Sequence, residues 1–478
     1  MADHRHDLFP DEMFEDLFTS QRGRPSIPAD TVASVMVLQA LEGLSDRDAA
    51  RALTDRISWK VACGLALDEA GFDYSVLTYW RGRLRNSTRP ERIFEAVRQV
   101  IDATGVLKGK TRRALDSTLL DDAVATQDTV TQLIAAIRRV RRIIPGAREV
   151  TLLAHDYDTA GKPSIAWDDD LARAELVHAL VTDALRLLDA CGEVQGDDDA
   201  EGTSALGLLA LVAGQDVELD ERGRWRIVRG VAKDRVISVV DPEARHMHKS
   251  RSEYRDGYKA HVAVEPETGL ITAAALTPAS TPDGPTGVQL LSREESGLQV
   301  LADGAYGSGE TLCALGGAGH ERLIKPHPSN AAIPGGLHRD DFIVDQDAGT
   351  VTCPAGHVVT ITKARNAVFG ARCSNCPLQS RCTNARRGRT VHLNVHDGEL
   401  VESRRAWRDG DFISDYRKYR PMVERSIAWL VRGPSRRVRF RGVEKNQMGL
   451  STRVAAINLR RLINLGLIHD GVWRLATS

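Results

Sequence analysis

Between residues 257 and 325 the chain adopts an ordered patterning that limits its fold more than any other stretch. Gly257-Tyr258-Lys259-Ala260-His261-Val262-Ala263-Val264 alternates as a strand does, turns at Glu267-Thr268-Gly269 and returns as Leu270–Thr277, a hairpin signature. A helix is predicted over Pro285 to Ser292. An apolar buried strand follows at Leu298-Gln299-Val300-Leu301-Ala302, then a helix from Ser308 to Leu315 and a strand at Glu321-Arg322-Leu323-Ile324-Lys325. With a short strand at Arg112 to Thr118, this order predicts an α/β core built on a sheet of mixed strand direction.

At 478 residues the chain is long enough for about two to four domains. Its apolar share, 42%, is ordinary for a globular protein, and no apolar run approaches the roughly 18–20 residues of a membrane span. Met1 to Asp11 is polar and acidic, which predicts neither a signal peptide nor an anchor. Of seven cysteines, four fall between Cys353 and Cys382, which predicts a reducing compartment with one local metal cluster rather than a disulfide framework. Cys63, Cys191 and Cys313 lie in apolar helical contexts and are expected in the core.

A net charge of −1 speaks at first against a nucleic-acid protein, but the average hides an asymmetry. Residues 417–461 hold thirteen Lys and Arg against only Glu424 and Glu444. Such a segment can neutralise phosphates and release counterions whatever the total charge is. A merely solvated helix face usually carries interspersed acids, which are nearly missing here.

Residues 1–86 read as a helical unit. Pro28 opens a helix with Val32, Val35, Met36, Leu38 and Leu41 at helical spacing, and Gly43 ends it. Ser45 with Asp48 resembles a capping box for a second helix. Ser75 is the expected N-cap of a third, from which Arg81, Arg83 and Arg85 project. Short helices with a basic last member suit a helix-turn-helix DNA reader, and equally a plain interaction bundle. Residues 121–192 are again helical, with Arg138, Arg139, Arg141 and Arg142 together, and Gly196 to Gly202 is a polar loop. Residues 328–400 turn loop- and β-rich, and 405–465 is helical.

Three acids stand in contexts that suit chemistry. Asp116 ends the short strand in Ala114-Leu115-Asp116-Ser117-Thr118, and Asp303 follows the buried strand directly, before Gly304-Ala305-Tyr306-Gly307. An acid at a strand's carboxyl end points into a crevice at the sheet edge. Glu424 lies in an arginine-rich helix. Phosphodiester cleavage uses two divalent ions about 3.5–4 Å apart, and Mg²⁺ takes a few carboxylates while keeping several waters. His155, His246 and His248 are assigned no role.

These pieces resemble the DDE transposases of bacterial insertion sequences, in the branch with an N-terminal helical domain and a cysteine-bearing insertion. The likeness runs through Gly23-Arg24-Pro25-Ser26, Leu38 to Ala49, Leu115-Asp116-Ser117-Thr118, Gly257 to His261, Thr277-Pro278-Ala279-Ser280 with Asp283, Ala302 to Tyr306, and Arg420-Pro421-Met422-Val423-Glu424-Arg425, in that order. It implies an RNase H-like core, Mg²⁺ or Mn²⁺ held by Asp116, Asp303 and Glu424, and recognition of double-stranded DNA at terminal inverted repeats. Since 187 positions separate the two aspartates and 121 separate Asp303 from Glu424, insertions are also implied. The expected layout is a helical DNA-binding domain at 1–86, then the first part of the core at 87–327 with a helical insertion at about 121–250. The cysteine-bearing insertion follows at 328–400, and the core's last helices at 401–478.

In related transposases the third acid's helix carries a Tyr, then an Arg three residues on, the Glu four after that and a basic residue seven further. Arg420 and Glu424 keep that spacing, whereas the Tyr position holds Arg417 with Tyr416 one step off, and Arg432 stands one step beyond the basic position. A new helical turn started by Pro421 would excuse the slip on the Tyr side. Arg420, Arg417, Arg425, Tyr416, Lys259, Arg81 and Arg83 are the expected DNA contacts. The implied reaction cuts a strand to leave a 3′-OH, which then attacks target DNA. Two copies on DNA, a bacterial cytoplasmic and nucleoid location, and neither membrane nor small-molecule substrate complete the expectation.

Cys353-Pro354-Ala355-Gly356-His357, Cys373-Ser374-Asn375-Cys376 and Cys382 fit a closed structural zinc site, with His357 able to replace Cys382, or else a set of reduced thiols. Two other functions stay open: a catalytically inactive DNA-binding repressor of the element, or a zinc-dependent hydrolase.

Overall fold

The segment that limits the fold most also forms its centre. The computed structural model describes residues 2–18, 27–192, 199–248 and 253–476. The motif Gly23-Arg24-Pro25-Ser26 and the start of the polar loop, Gly196 to Asp198, lie outside the described residues.

Six helices come first: α1 (Arg5–Leu8), α2 (Ala29–Glu42), α3 (Asp46–Asp55), α4 (Ile57–Cys63), α5 (Ser75–Arg85) and α6 (Arg92–Thr104). Gly43 ends α2 in the left-handed region at φ 74°, and Ser45 caps α3 by accepting the amide of Asp48 at 3.1 Å. The capping box is modified, because the short Asp48 carboxylate takes the Ser45 hydroxyl at 2.6 Å. Ser75 is the first residue of α5 rather than its cap, and its amide is held by Asp73. This unit does not bury its apolar face alone. Its core continues into Leu270, Met448, Ala455, Ala456, Leu459 and Leu462.

The sheet begins with β1 (Arg112–Asp121). Helices α7 (Thr129–Ile143), α8 (Asp170–Gly192) and α9 (Ala200–Gln215) follow, then the short strands β2 (Val217–Leu219) and β3 (Trp225–Ile227). These helices have a core of their own, from Val130 to Val239. The 121–250 stretch is thus not wholly helical, since β2 and β3 pair and β4 (Arg245–His248) joins the main sheet. Next come β5 (Tyr254–Glu265), β6 (Leu270–Pro278), α10 (Asp283–Leu290), β7 (Gln299–Ala302), α11 (Gly309–Gly317) and β8 (Glu321–Ile324).

The main order is β6-β5-β1-β7-β8, with β4 beside the start of β5. β5 runs antiparallel to both β1 and β6, whereas β7 is parallel to β1 and to β8. Residues 257–265 on β5 are buried almost without a break, as expected for a strand covered on both faces. Gly257 makes the close β1–β5 approach possible: a Cβ there would stand 2.3 Å from the Leu120 carbonyl oxygen.

The chain continues through β9 (Ile343–Asp345), β10 (Thr350–Thr352), β11 (Val358–Thr360), β12 (Asn366–Val368), α12 (Gln379–Cys382) and β13 (Thr390–His392). This β-rich stretch packs on Phe342, Val351 and Phe369. Helices α13 (Asp397–Asp409), α14 (Ile413–Tyr419), α15 (Pro421–Leu430) and α16 (Val443–Asn464) follow. A hairpin of β14 (Leu467–His469) and β15 (Trp473–Leu475) closes the chain. Strand alternation divides the sheet's faces. Leu115, Val300 and Ala302 pack with Leu312 and Leu315, while Ala114, Val262 and Leu301 pack with Val423, Leu450 and Val454.

Among the described residues β6 pairs only with β5, so the backbone of Ile271 has no strand neighbour on its other side, and α16 supplies the partner. The buried Asn458 amide accepts the Ile271 N–H at 2.9 Å and donates to the Ile271 carbonyl at 2.8 Å. Asn458→Leu orphans both groups at once. A loss of about 1–3 kcal/mol is expected in urea unfolding, and an unchanged midpoint would refute the role.

Candidate active site

Strand register brings the first two acids level. Ala114 on β1 faces Leu301 on the parallel strand β7. Two residues further on each chain are Asp116 and Asp303, on the same side of the sheet. Helix α15 crosses this end and adds Glu424 from a third element.

All three carboxylates gather on one guanidinium. Nη2 of Arg420 lies 2.9 Å from Asp116 Oδ2 and 4.0 Å from Asp303 Oδ2, and Nη1 lies 3.7 Å from Glu424 Oε1. The site grades from inside to outside: the side chain of Asp116 is 15% exposed, that of Asp303 46% and that of Glu424 67%. Asp303 is fixed by the Ala305 amide, which donates to its Oδ1 at 3.0 Å, and Asp116 accepts from Ser117 N at 2.8 Å.

Burial raises the Asp116 pKa, and the attraction of Arg420 only partly offsets it, so the carboxyl sits above its ordinary range. Burial also weakens the charge on Arg420, but Asp116 outweighs this and holds the guanidinium firmly protonated. Nε and Nη1 of Arg420 are buried without hydrogen-bond partners.

Arg420 and Pro421 mark the break between α14 and α15, so the proline does start a new helical segment. Tyr416 stands one helical turn before Arg420, whose amide donates to the Tyr416 carbonyl at 3.0 Å. Burial raises the Tyr416 pKa and Arg420 pulls it down, with Asp303 and Glu424 near enough to be felt. Arg417 and Arg425 are exposed on the same two helices.

Other expected DNA contacts are differently placed. Lys259 is 3% exposed, with its ammonium on the Thr281 carbonyl at 2.8 Å and on Asp283 at 3.0 Å, so phosphate has no access to it. Arg81 pairs with Asp46, and Arg83 binds the Leu17 carbonyl and lies over Phe18 and Tyr79. In the other basic cluster, Arg138 binds the Tyr157 carbonyl at 2.9 Å. Their charges are committed within the helical units, a pairing that no local spacing reveals.

A basic cavity of about 590 Å³ escaped the sequence reading as a unit. Trp429, Arg432, Arg453, Arg460 and Arg461 line it. Its signal is the recurrence of Arg453, Ile457, Arg460, Arg461 and Asn464 along one face of α16.

Cys353, Cys373, Cys376, Cys382 and His357 line one cavity of about 20 Å³. Burial raises the Cys382 pKa, and the other three cysteines add to the rise, as close thiols do. Cys373 Sγ accepts from Arg389 N at 3.4 Å, the kind of amide support a metal-bound thiolate uses. Among the described residues, neither these cysteines nor the three acids form a set of three donor atoms within 4.8 Å of one another. Cys63 and Cys191 are buried as expected, but Cys313 is exposed on α11 and is not a core residue.

No helix of the described residues is long and apolar enough to cross a membrane. Neither a curated protein nor a solved structure matches the chain. Two families do: residues 3–83 match a Transposase domain (DUF772), and residues 352–463 match a Transposase DDE domain. The second match spans the four clustered cysteines, Arg420 and Glu424, while Asp116 and Asp303 lie between the two. Transposase domains matched near both ends support a DDE transposase of an insertion sequence.

Proposed function

We propose that this transposase cuts DNA at the ends of its element and joins the resulting 3′-OH to target DNA, with Asp116, Asp303 and Glu424 holding two Mg²⁺ or Mn²⁺ ions. The observation that carries this reading is the gathering of three carboxylates, from β1, the residue after β7, and α15, within 4.0 Å of Arg420. The order β6-β5-β1-β7-β8, with one acid on the central strand and one after its parallel neighbour, supports an RNase H-like core. Hard oxygen donors suit both ions. When bound, such a pair stabilises the attacking and leaving oxygens of an in-line displacement.

The chain's own residues supply the rest. Asp116 anchors the site at the sheet, while Asp303 and Glu424 face the solvent from which a strand arrives. Arg420 neutralises the acids in the resting protein and, once displaced, is placed to pair with a phosphate of the element's end. Arg417, Arg425 and Tyr416 flank that path, and the arginine-lined cavity beside Trp429 suits further backbone contacts. Two copies would hold the two ends, in a bacterial cytoplasm at the nucleoid.

The direct test offers the purified chain labelled duplexes carrying the repeats that flank its gene. Nicking at the repeat boundary in Mg²⁺, absent in EDTA, is expected. Intact duplexes in both Mg²⁺ and Mn²⁺ would refute the reading.

The four cysteines, or three with His357, would hold a structural zinc that the small Phe342–Leu393 core needs for order. Cys373→Ser should lower bound zinc by one equivalent and open the 328–400 stretch to limited proteolysis. Unchanged zinc content and unchanged cleavage would favour free thiols.

A further inference from the structure

A second donor cluster lies far along the chain from the acids. Among the described residues, His4, Asp7 and His469 form the one trio of metal-type donors whose ligand atoms all lie within 4.8 Å of one another. They come from opposite ends of the described chain: His4 is the N-cap residue of α1 and Asp7 lies within it, and His469 ends β14.

The spacing is informative. Nδ1 of His4 lies 3.3 Å from Asp7 Oδ2, and Nδ1 of His469 lies 3.5 Å from the same oxygen. A charge-assisted N–H···O bond closes to about 2.7–2.9 Å, so neither imidazole makes the tight contact a plain ion pair would make. Metal bonds of about 2.0–2.2 Å at tetrahedral angles set neighbouring donors roughly 3.3–3.5 Å apart. That is the separation of each imidazole nitrogen from the Asp7 oxygen, and all three donor atoms lie within 4.8 Å of one another. Both imidazoles turn the same nitrogen toward the carboxylate.

The surroundings hold the rings in place. The His4 and His469 rings meet edge-on at 4.7 Å, and Trp473 packs on both, 5.9 Å from His4 and 4.4 Å from His469. Trp473 is the cross-strand partner of His469 and packs against the core that contains Leu8 and Phe9. His469 is 12% exposed and His4 36%, so the site has a packed wall and an open side.

We propose that His4, Asp7 and His469 bind a divalent transition ion of the zinc class, with water at the fourth position, and so tie α1 to the C-terminal hairpin. Two imidazoles and a carboxylate suit zinc, cobalt, nickel or copper and disfavour magnesium. The ion fixes the first helix of the N-terminal unit on the last hairpin. The site uses none of the residues that carry the catalytic reading or the cysteine cluster, so each stands or falls separately.

Cobalt distinguishes the sites in the full chain. With the chain preloaded with one equivalent of Zn²⁺, which a thiolate cluster takes first, titration with Co²⁺ should produce tetrahedral visible bands free of the near-ultraviolet charge transfer that thiolates add. His469→Ala and Asp7→Asn should lose those bands and one bound equivalent, while Cys373→Ser keeps both. Far-UV circular dichroism checks that the variants fold, and Asp7→Asn preserves side-chain size if His469→Ala does not. Wild-type bands and stoichiometry in folded Asp7→Asn, or no thiol-free cobalt spectrum in the parent, would overturn the proposal.

Discussion

An Asp303→Ala protein is expected to bind its repeat DNA and fail to nick it. The side chain is 46% exposed and contributes one capping bond, from Ala305 N at 3.0 Å, so its removal costs about 0.5–2 kcal/mol and leaves the fold intact. Removing a negative charge beside a phosphate path does not weaken DNA binding, which should stay within about threefold of the parent. The chemical step, by contrast, loses one of three ion-holding carboxylates. A fall on the order of 10³-fold or more is expected, about 4 kcal/mol of barrier. Glu424→Ala should give the same phenotype, whereas Asp116→Ala should lose nicking and also stability, because it takes the nearest carboxylate from the buried Arg420. Time courses of strand nicking in Mg²⁺, beside gel-shift titrations of the same duplex, measure both quantities. Nicking by folded Asp303→Ala at more than a tenth of the parental rate would remove the acid from the reaction.

Some of this site was visible in the sequence because its pieces are local. A run of apolar residues ending in Asp303, and an acid four residues beyond Arg420, leave marks within a few positions of themselves. Strand, turn and helix periodicity therefore located β1, β5, β6, β7 and α15. The order of those strands is not a local property. The parallel β1–β7 pairing joins residues 187 positions apart when it sets Asp116 beside Asp303, and no period reports such a contact.

Charge misled for a related reason. Lys259 lies in an alternating strand and reads as a half-exposed cation. Both faces of β5 are covered, however, and the lysine goes inward to Asp283. Arg81 and Arg83 likewise look free on a basic helix until Asp46 and the Leu17 carbonyl are brought to them by the fold. Tyr416, one step off the strict spacing, nevertheless stands beside Arg420, because the two are one helical turn apart. The His4–Asp7–His469 trio has no linear signature, since its members lie near the two ends of the chain.

The inward turn of Lys259 leads to the largest stability effect expected here. Behind the acids, Asp283 on α10 faces Lys259 at 3.0 Å and His261 Nδ1 at 3.5 Å, both on β5, while His261 Nε2 meets Thr277 on β6 at 2.9 Å. Lys259 is 3% exposed and His261 0%, so the single carboxylate is what makes a buried ammonium tolerable. Asp283→Ala leaves that charge uncompensated and should cost about 3–5 kcal/mol, read as a lower urea midpoint at pH 7. Exchanging both charges, Lys259→Met with Asp283→Leu, should recover much of the loss, because a neutral pair of similar bulk needs no counterion. The same network predicts a pH dependence. Burial lowers the His261 pKa from 6.5 to about 4, against the pull of Asp283. The unfolded chain therefore takes up this proton before the folded one does. The stability tied to neutral His261 is complete above about pH 6.5 and falls progressively as the pH drops toward 4. His261→Asn removes the titrating group, so the fall in stability over that interval should become shallower than in the parent. An equal slope in both proteins would mean that other groups set the acid limit, and that the imidazole is not held neutral by the sheet.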